Sequence, residues 1–146
     1  MALNNYAYYL SEKGVDLHKA ESMSYKTIKA EPNNGTYLDT YAWILFMEER
    51  YADAKTYIDQ ALKNRDSTAD NSTVLEHAGD IYYMNGMADE SVDFWKKAYT
   101  GENQTEVLAW KIKNRQYITE EELKKRNAPK QKPAATKKSV RKGKKK

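Results

Sequence analysis

The sequence predicts an all-α protein, an array of about three helix hairpins, on three observations. Three stretches, beginning LNNYAYYL, YLDTYAWIL and VLEHAGDIYY, superpose almost residue for residue. Within each, apolar residues recur at helical spacing. Each is broken once, near Gly14, Glu49 and Gly86, so every stretch holds two helices and a turn.

The hairpins are expected over residues 2–31, 36–64 and 73–100. The first helix of each carries a small residue, Ala7, Ala42 or Gly79, followed three places later by Leu10, Leu45 or Tyr82. The second carries Ala20, Ala54 or Ser91 and, seven residues on, Thr27, Ala61 or Ala98. Two antiparallel helices approach closely only where one side chain is nearly absent, so Ala7, Ala20, Ala42, Ala54, Ala61, Gly79 and Ala98 are the expected packing points.

Start signals precede the later units. Asn34-Gly-Thr36, Asn71-Ser-Thr73 and Asn103-Gln-Thr105 each stand before a first-type helix, and Thr36 with Asp39 and Thr73 with Glu76 have capping-box spacing. The triplets also match the glycosylation acceptor pattern, but their position favours capping. After the third hairpin, residues 105–126 read as terminal cover. Val107, Leu108 and Ile112 face the last hairpin, Lys111, Lys113 and Arg115 form a polar outer face, and Thr119 with Glu122 opens a last short helix. At the other end Met1-Ala2 enters a helix without a capping residue, as expected of a piece cut from a longer array, and the uncovered first face permits self-association.

Charge divides the chain. Residues 127–146 hold nine Lys or Arg and no acid, leaving sixteen bases against twenty-one acids in residues 1–126. Proline, like charges and scarce large apolar groups predict a disordered basic tail. Its charge suits non-specific contact with nucleic acid or another polyanion, and no aromatic is interleaved to stack bases.

The chain has no cysteine, which removes disulfides, thiolate metal sites and thiol nucleophiles. The N-terminus lacks a secretory pattern and no apolar run approaches the ~20 residues of a membrane span, so a soluble, cytoplasmic chain is expected, with a cell-envelope location open to a longer protein. There is no phosphate loop and no nucleophile elbow. His18 and His77, the two histidines, fall in different units without metal-ligand spacing and read as a surface and a groove-edge residue. No catalytic residue, metal or cofactor is expected.

The small-x-x-apolar pair, the Gly or Glu at the turn, the small residue opening the second helix's stripe and Pro32 closing the first unit together resemble the tetratricopeptide repeat (TPR). The overall texture is similar to bacterial multi-repeat members. Val15 looks inserted, the 64–72 loop is long, and Asp66 and Asn103 replace the terminal proline. The resemblance implies a right-handed superhelix whose first helices line a concave groove holding an extended peptide or a partner's helix. Chaperone-binding members hold a partner's terminal carboxylate with Lys and Asn; here Asn4 matches, but acids stand at the later equivalent places. In that register the groove shows Asn4, Tyr8, Asp39, Trp43, Phe46, Glu76, Asp80 and Tyr83. Acids beside rings favour a protein or peptide partner with basic and apolar residues.

Overall fold

A computed structural model describes residues 1–66 and 69–128, among which the chain forms eight α-helices and no strand. α1 (Ala2–Lys13) pairs with α2 (Leu17–Ala30), α3 (Gly35–Met47) with α4 (Tyr51–Lys63), and α5 (Ser72–Met84) with α6 (Ala88–Ala98). α7 (Glu106–Asn114) and α8 (Glu120–Asn127) follow. The basic tail is expected from residue 127, but Asn127 closes α8 and Ala128 follows it as the cap; the rest of that expectation, residues 129–146, lies outside the described residues. No helix among the described residues is long and apolar enough to cross a membrane.

The hairpin turns share one backbone solution. Gly14, Glu49 and Gly86 take left-handed φ values of 67°, 64° and 79°. The amide just beyond each donates back to the carbonyl of Leu10, Leu45 or Tyr82, at 3.2, 2.9 and 3.0 Å. A left-handed residue with this long return bond satisfies carbonyls that a helix end leaves open. In the first turn one more residue separates the left-handed position from the next helix: Asp16 also takes a left-handed φ, 48°, before α2 starts, which absorbs the extra residue seen at Val15.

Packing follows the small-residue rows. Ala7, Ala20, Ala42, Ala54, Ala61 and Ala98 expose no surface. At Gly79 the approach is closest, because a Cβ there would collide with the Trp95 indole. Trp95 of α6 thus lies directly on the α5 backbone, and the Ser91 hydroxyl donates to the Gly79 carbonyl at 2.9 Å. A bulky ring fills what the missing side chain leaves, so the pair interlocks instead of merely touching.

The largest apolar cluster joins α3, α4 and α5 through residues such as Leu38, Leu45, Ile58 and Ile81. Ile44 carries packing towards Ala7 and Leu10 of α1. At the far end Trp95 and Val92 meet Leu108 of α7. Hairpins therefore stack in chain order as a superhelical array over three neighbouring apolar clusters, with α7 covering the last.

Two details differ from the sequence reading. The cap of α3 is Asn34, which accepts from the Tyr37 amide at 3.1 Å, and Thr36 lies inside the helix; Asn71 caps α5 without a side-chain bond. The Thr36–Asp39 and Thr73–Glu76 boxes do not form because the helices begin earlier, at Gly35 and Ser72, which puts both threonines inside them. The box at Thr119 and Glu122 does form. Lys111, expected on an outer face, is 2% exposed and points inward.

Candidate functional site

One place beyond the packing residues Ala7, Ala42 and Gly79 stand Tyr8, Trp43 and Asp80. A one-residue step turns a helical side chain by about 100°, from the hairpin seam to the inner face. There a recess of about 530 Å3 crosses the first helices, walled by Tyr8, Glu12, Trp43, His77, Asp80 and Lys111.

Two buried networks form its floor. In the first, His77 donates from Nδ1 to Asp39 at 2.8 Å, and its Nε2 lies 3.5 Å from the Tyr8 hydroxyl. The imidazole stacks on Trp43 at 4.0 Å between centroids, and Trp43 stacks in turn on Phe46 at 4.5 Å. The Trp43 Nε1 donates to Glu12 at 3.0 Å. Burial disfavours the His77 cation, but Asp39 outweighs it, with Asp80 and Glu12 adding to the pull, so the pKa is raised. Burial first, then Glu12, Asp39 and Glu76, pushes the Tyr8 phenol upward and keeps it protonated.

In the second network Lys111 reaches Asp80 at 2.8 Å and Glu76 at 2.9 Å. The Trp95 Nε1 donates to the same Asp80 oxygen at 2.9 Å. Burial works against the Lys111 ammonium, and the two carboxylates overcome it, raising its pKa. Burial raises the Asp80 carboxyl pKa, and the Lys111 ammonium 2.8 Å away works against that rise by favouring the carboxylate. Asn103 donates to Glu76 at 3.2 Å and closes the set.

The expected groove residues therefore occupy distinct places. Tyr8, Trp43, Glu76 and Asp80 line this recess. Phe46 is 5% exposed and lies beneath Trp43. Tyr83 packs against Trp95, 6.0 Å between centroids, and is not among the lining residues. Asn4 and Asp39 border a neighbouring recess, also about 530 Å3, rich in amides from Asn5, Asn34, Asn64 and Asn71. There the buried Asn4 Oδ1 has no partner.

Sequence reasoning missed Lys111 and the pairing of His77, which is buried instead of lying at an edge. It also missed Tyr117 and Ile118. Arg115 takes a left-handed φ of 54°, the chain reverses, and Tyr117 to Glu121 join the recess wall. The Tyr117 ring meets Phe46 edge-on at 5.6 Å and lies 5.4 Å from the Lys111 ammonium. Ile118 is 3% exposed.

Elsewhere, His18, Glu21 and Glu48 bring ligand atoms within 4.8 Å of one another. The sequence separation of Glu48 hid this cluster. The Arg50 guanidinium already holds both carboxylates, at 3.0 and 3.5 Å, and supplies the positive charge they need.

No protein-family model matches the sequence, and no curated protein matches it. Solved structures do. The chain is similar to the N-terminal domain of stress-induced protein-1 from C. elegans, with a TM-score of 0.56 and 20% identity over 79% of this chain and 98% of that one. It is also similar to the TPR2AB domain of yeast Sti1 in a complex with pHSP90, with a TM-score of 0.58 and 23% identity over 86% of this chain and 46% of that one. The architecture is a TPR-like helical repeat.

Proposed function

We propose that the protein is a non-catalytic interaction scaffold that holds a segment of another protein along its inner face. The observation that carries this reading is the recess itself: it spans four repeat-type helices and sets five carboxylates, Glu12, Glu76, Asp80, Glu120 and Glu121, against one lysine. The half-buried Tyr8 ring offers apolar contact beside that charge, next to the buried stack of Trp43 with His77 and Phe46. An incoming segment with basic and apolar residues fits, with charge steering encounter and ring burial holding it. The yeast neighbour was solved in a complex with pHSP90, which supports peptide or protein capture as the general use of such a surface. Asp80 and Glu76 are committed to Lys111, so Glu12 and the α8 acids carry the exposed attraction.

The test is titration of isotope-labelled protein with two synthetic peptides of equal length, one alternating Lys with Leu and Trp, the other with Glu replacing Lys. Amide shifts at Tyr8, Glu12 and Trp43 for the basic peptide alone support the reading. Equal response to both peptides, or shifts confined to α2, α4 and α6, would sink it. The runner-up, an adaptor working through the basic tail expected over residues 127–146, predicts capture of a polyanion that salt abolishes and that leaves inner-face amides unmoved.

A further inference from the structure

The inner face already holds a guest, and it belongs to this chain. After α7 the backbone reverses at Arg115, the Arg115 guanidinium bonds Asp89, and the Gln116 amide donates to the Lys111 carbonyl at 3.3 Å. Residues 117–119 then run without regular secondary structure along the recess wall. Tyr117 touches both the central and the C-terminal apolar clusters, and Ile118 is almost wholly covered. Yet among the described residues no hydrogen bond joins Tyr117, Ile118 or α8 to α1, α3 or α5; the bonds of Thr119 run to Glu122 and Leu123. Beyond it, α8 is fastened by the buried Leu123 and by Arg126 over the Trp110 ring at 5.4 Å.

From this placement we infer that the Tyr117-Ile118 arm is a displaceable resident of the binding surface, and that it marks a subsite for an aromatic–aliphatic pair in a partner's extended segment. The inference rests on the scaffold reading and adds what the groove selects and how it is regulated. Two side-chain anchors with no backbone ladder give a contact that can open while the hairpins stay folded. An incoming segment must then compete with a tethered copy of its own motif, whose effective concentration is high because the tether is short. The aromatic half has a defined seat: Phe46, in edge geometry at 5.6 Å, and the Lys111 ammonium, 5.4 Å from the ring, both favour an aromatic side chain.

The experiment uses the full chain, unmodified and with Tyr117→Ala plus Ile118→Ala. The probe is a fluorescent peptide NRQYITEEEL, residues 114–123, and its control carries Ala at the Tyr and Ile positions. If the arm is docked nine-tenths of the time, the double variant should bind the probe about tenfold more tightly than the unmodified chain. The control peptide should bind neither. Equal affinity for both chains, or no binding to a variant whose circular dichroism matches the parent, overturns the inference. A second variant, Thr119→Ala with Glu122→Ala, removes the capping box and leaves both anchors in place; it should raise probe affinity by a smaller factor. Hydrogen exchange on the unmodified chain decides the matter without substitution. Amides of Tyr117 to Leu123 should open faster than those of α5, and equal protection refutes a displaceable arm. Should the Lys-Leu-Trp peptide fail on every chain while the probe binds the double variant, the basic-partner reading falls and the arm stands; the converse result removes the arm alone.

Discussion

The two ends of the inner face are built from the same repeat positions and finished differently. At the N-terminal end the wall mixes side-chain amides with charged groups such as Asp39 and Arg65, and the buried Asn4 oxygen lacks a partner. At the C-terminal end Asp80 and Glu76 are paired with Lys111, and Tyr117 and Ile118 close over the rings. A repeat fixes where side chains emerge but not whether the chain itself satisfies them. Satisfied walls confer stability, and unsatisfied ones leave capacity for a guest.

Lys111→Ala should break the comparison most severely. It strands Asp80, 3% exposed, without its cation, and such losses cost about 3–5 kcal/mol. A thermal melt followed by circular dichroism reads it. Pairing Lys111→Met with Asp80→Asn keeps an acceptor for Trp95 and should recover most of the loss; no recovery would mean the charges matter beyond their mutual compensation.

Gly79→Ala comes next. The added methyl meets the Trp95 ring, and overpacking of this kind costs about 1–3 kcal/mol. Urea denaturation should show an unchanged slope and a lower midpoint. An unshifted midpoint would mean that Trp95 can slide away and that the hairpins do not interlock.

At the open end the sign reverses. An unpartnered buried acceptor costs about 1–3 kcal/mol, so Asn4→Leu should leave stability unchanged or raise it by about 1 kcal/mol while weakening any guest that donates to that oxygen. A clear loss of stability would show that the amide is satisfied after all.

The smallest effect joins the two ends and depends on pH. The folded pKa of His77 lies above the ordinary 6.5, so its contribution is complete below that value and disappears as pH rises through the raised one. Melting temperature should therefore fall across that window in the parent protein. Asp39→Asn should flatten the dependence, and an unchanged profile would place the titration elsewhere.

How legible this was in the sequence follows from the range of each interaction. Local rules sufficed for the hairpins, because a small residue every repeat and a break after Leu10, Leu45 and Tyr82 are read along one strand of text. The inner face needed register as well, which located Tyr8, Trp43 and Asp80. Pairing was not legible, since Asp39 meets His77 and Glu76 meets Lys111 across separate hairpins. Tyr117 left no trace either, because its position depends on the left-handed bend at Arg115, a residue type that seldom adopts it.

The stacking of Trp43 on His77 equips the protein with an optical indicator of its own state. Imidazolium is an efficient quencher of indole emission, and the two rings are 4.0 Å apart. Trp95 is sealed in the core and Trp110 lies under Arg126, so of the three indoles, all among the described residues, only Trp43 stacks on an imidazole. Light emitted by Trp43 will brighten whenever its neighbour loses a proton or a visitor pries the rings apart, which lets occupancy be followed in real time without any attached dye.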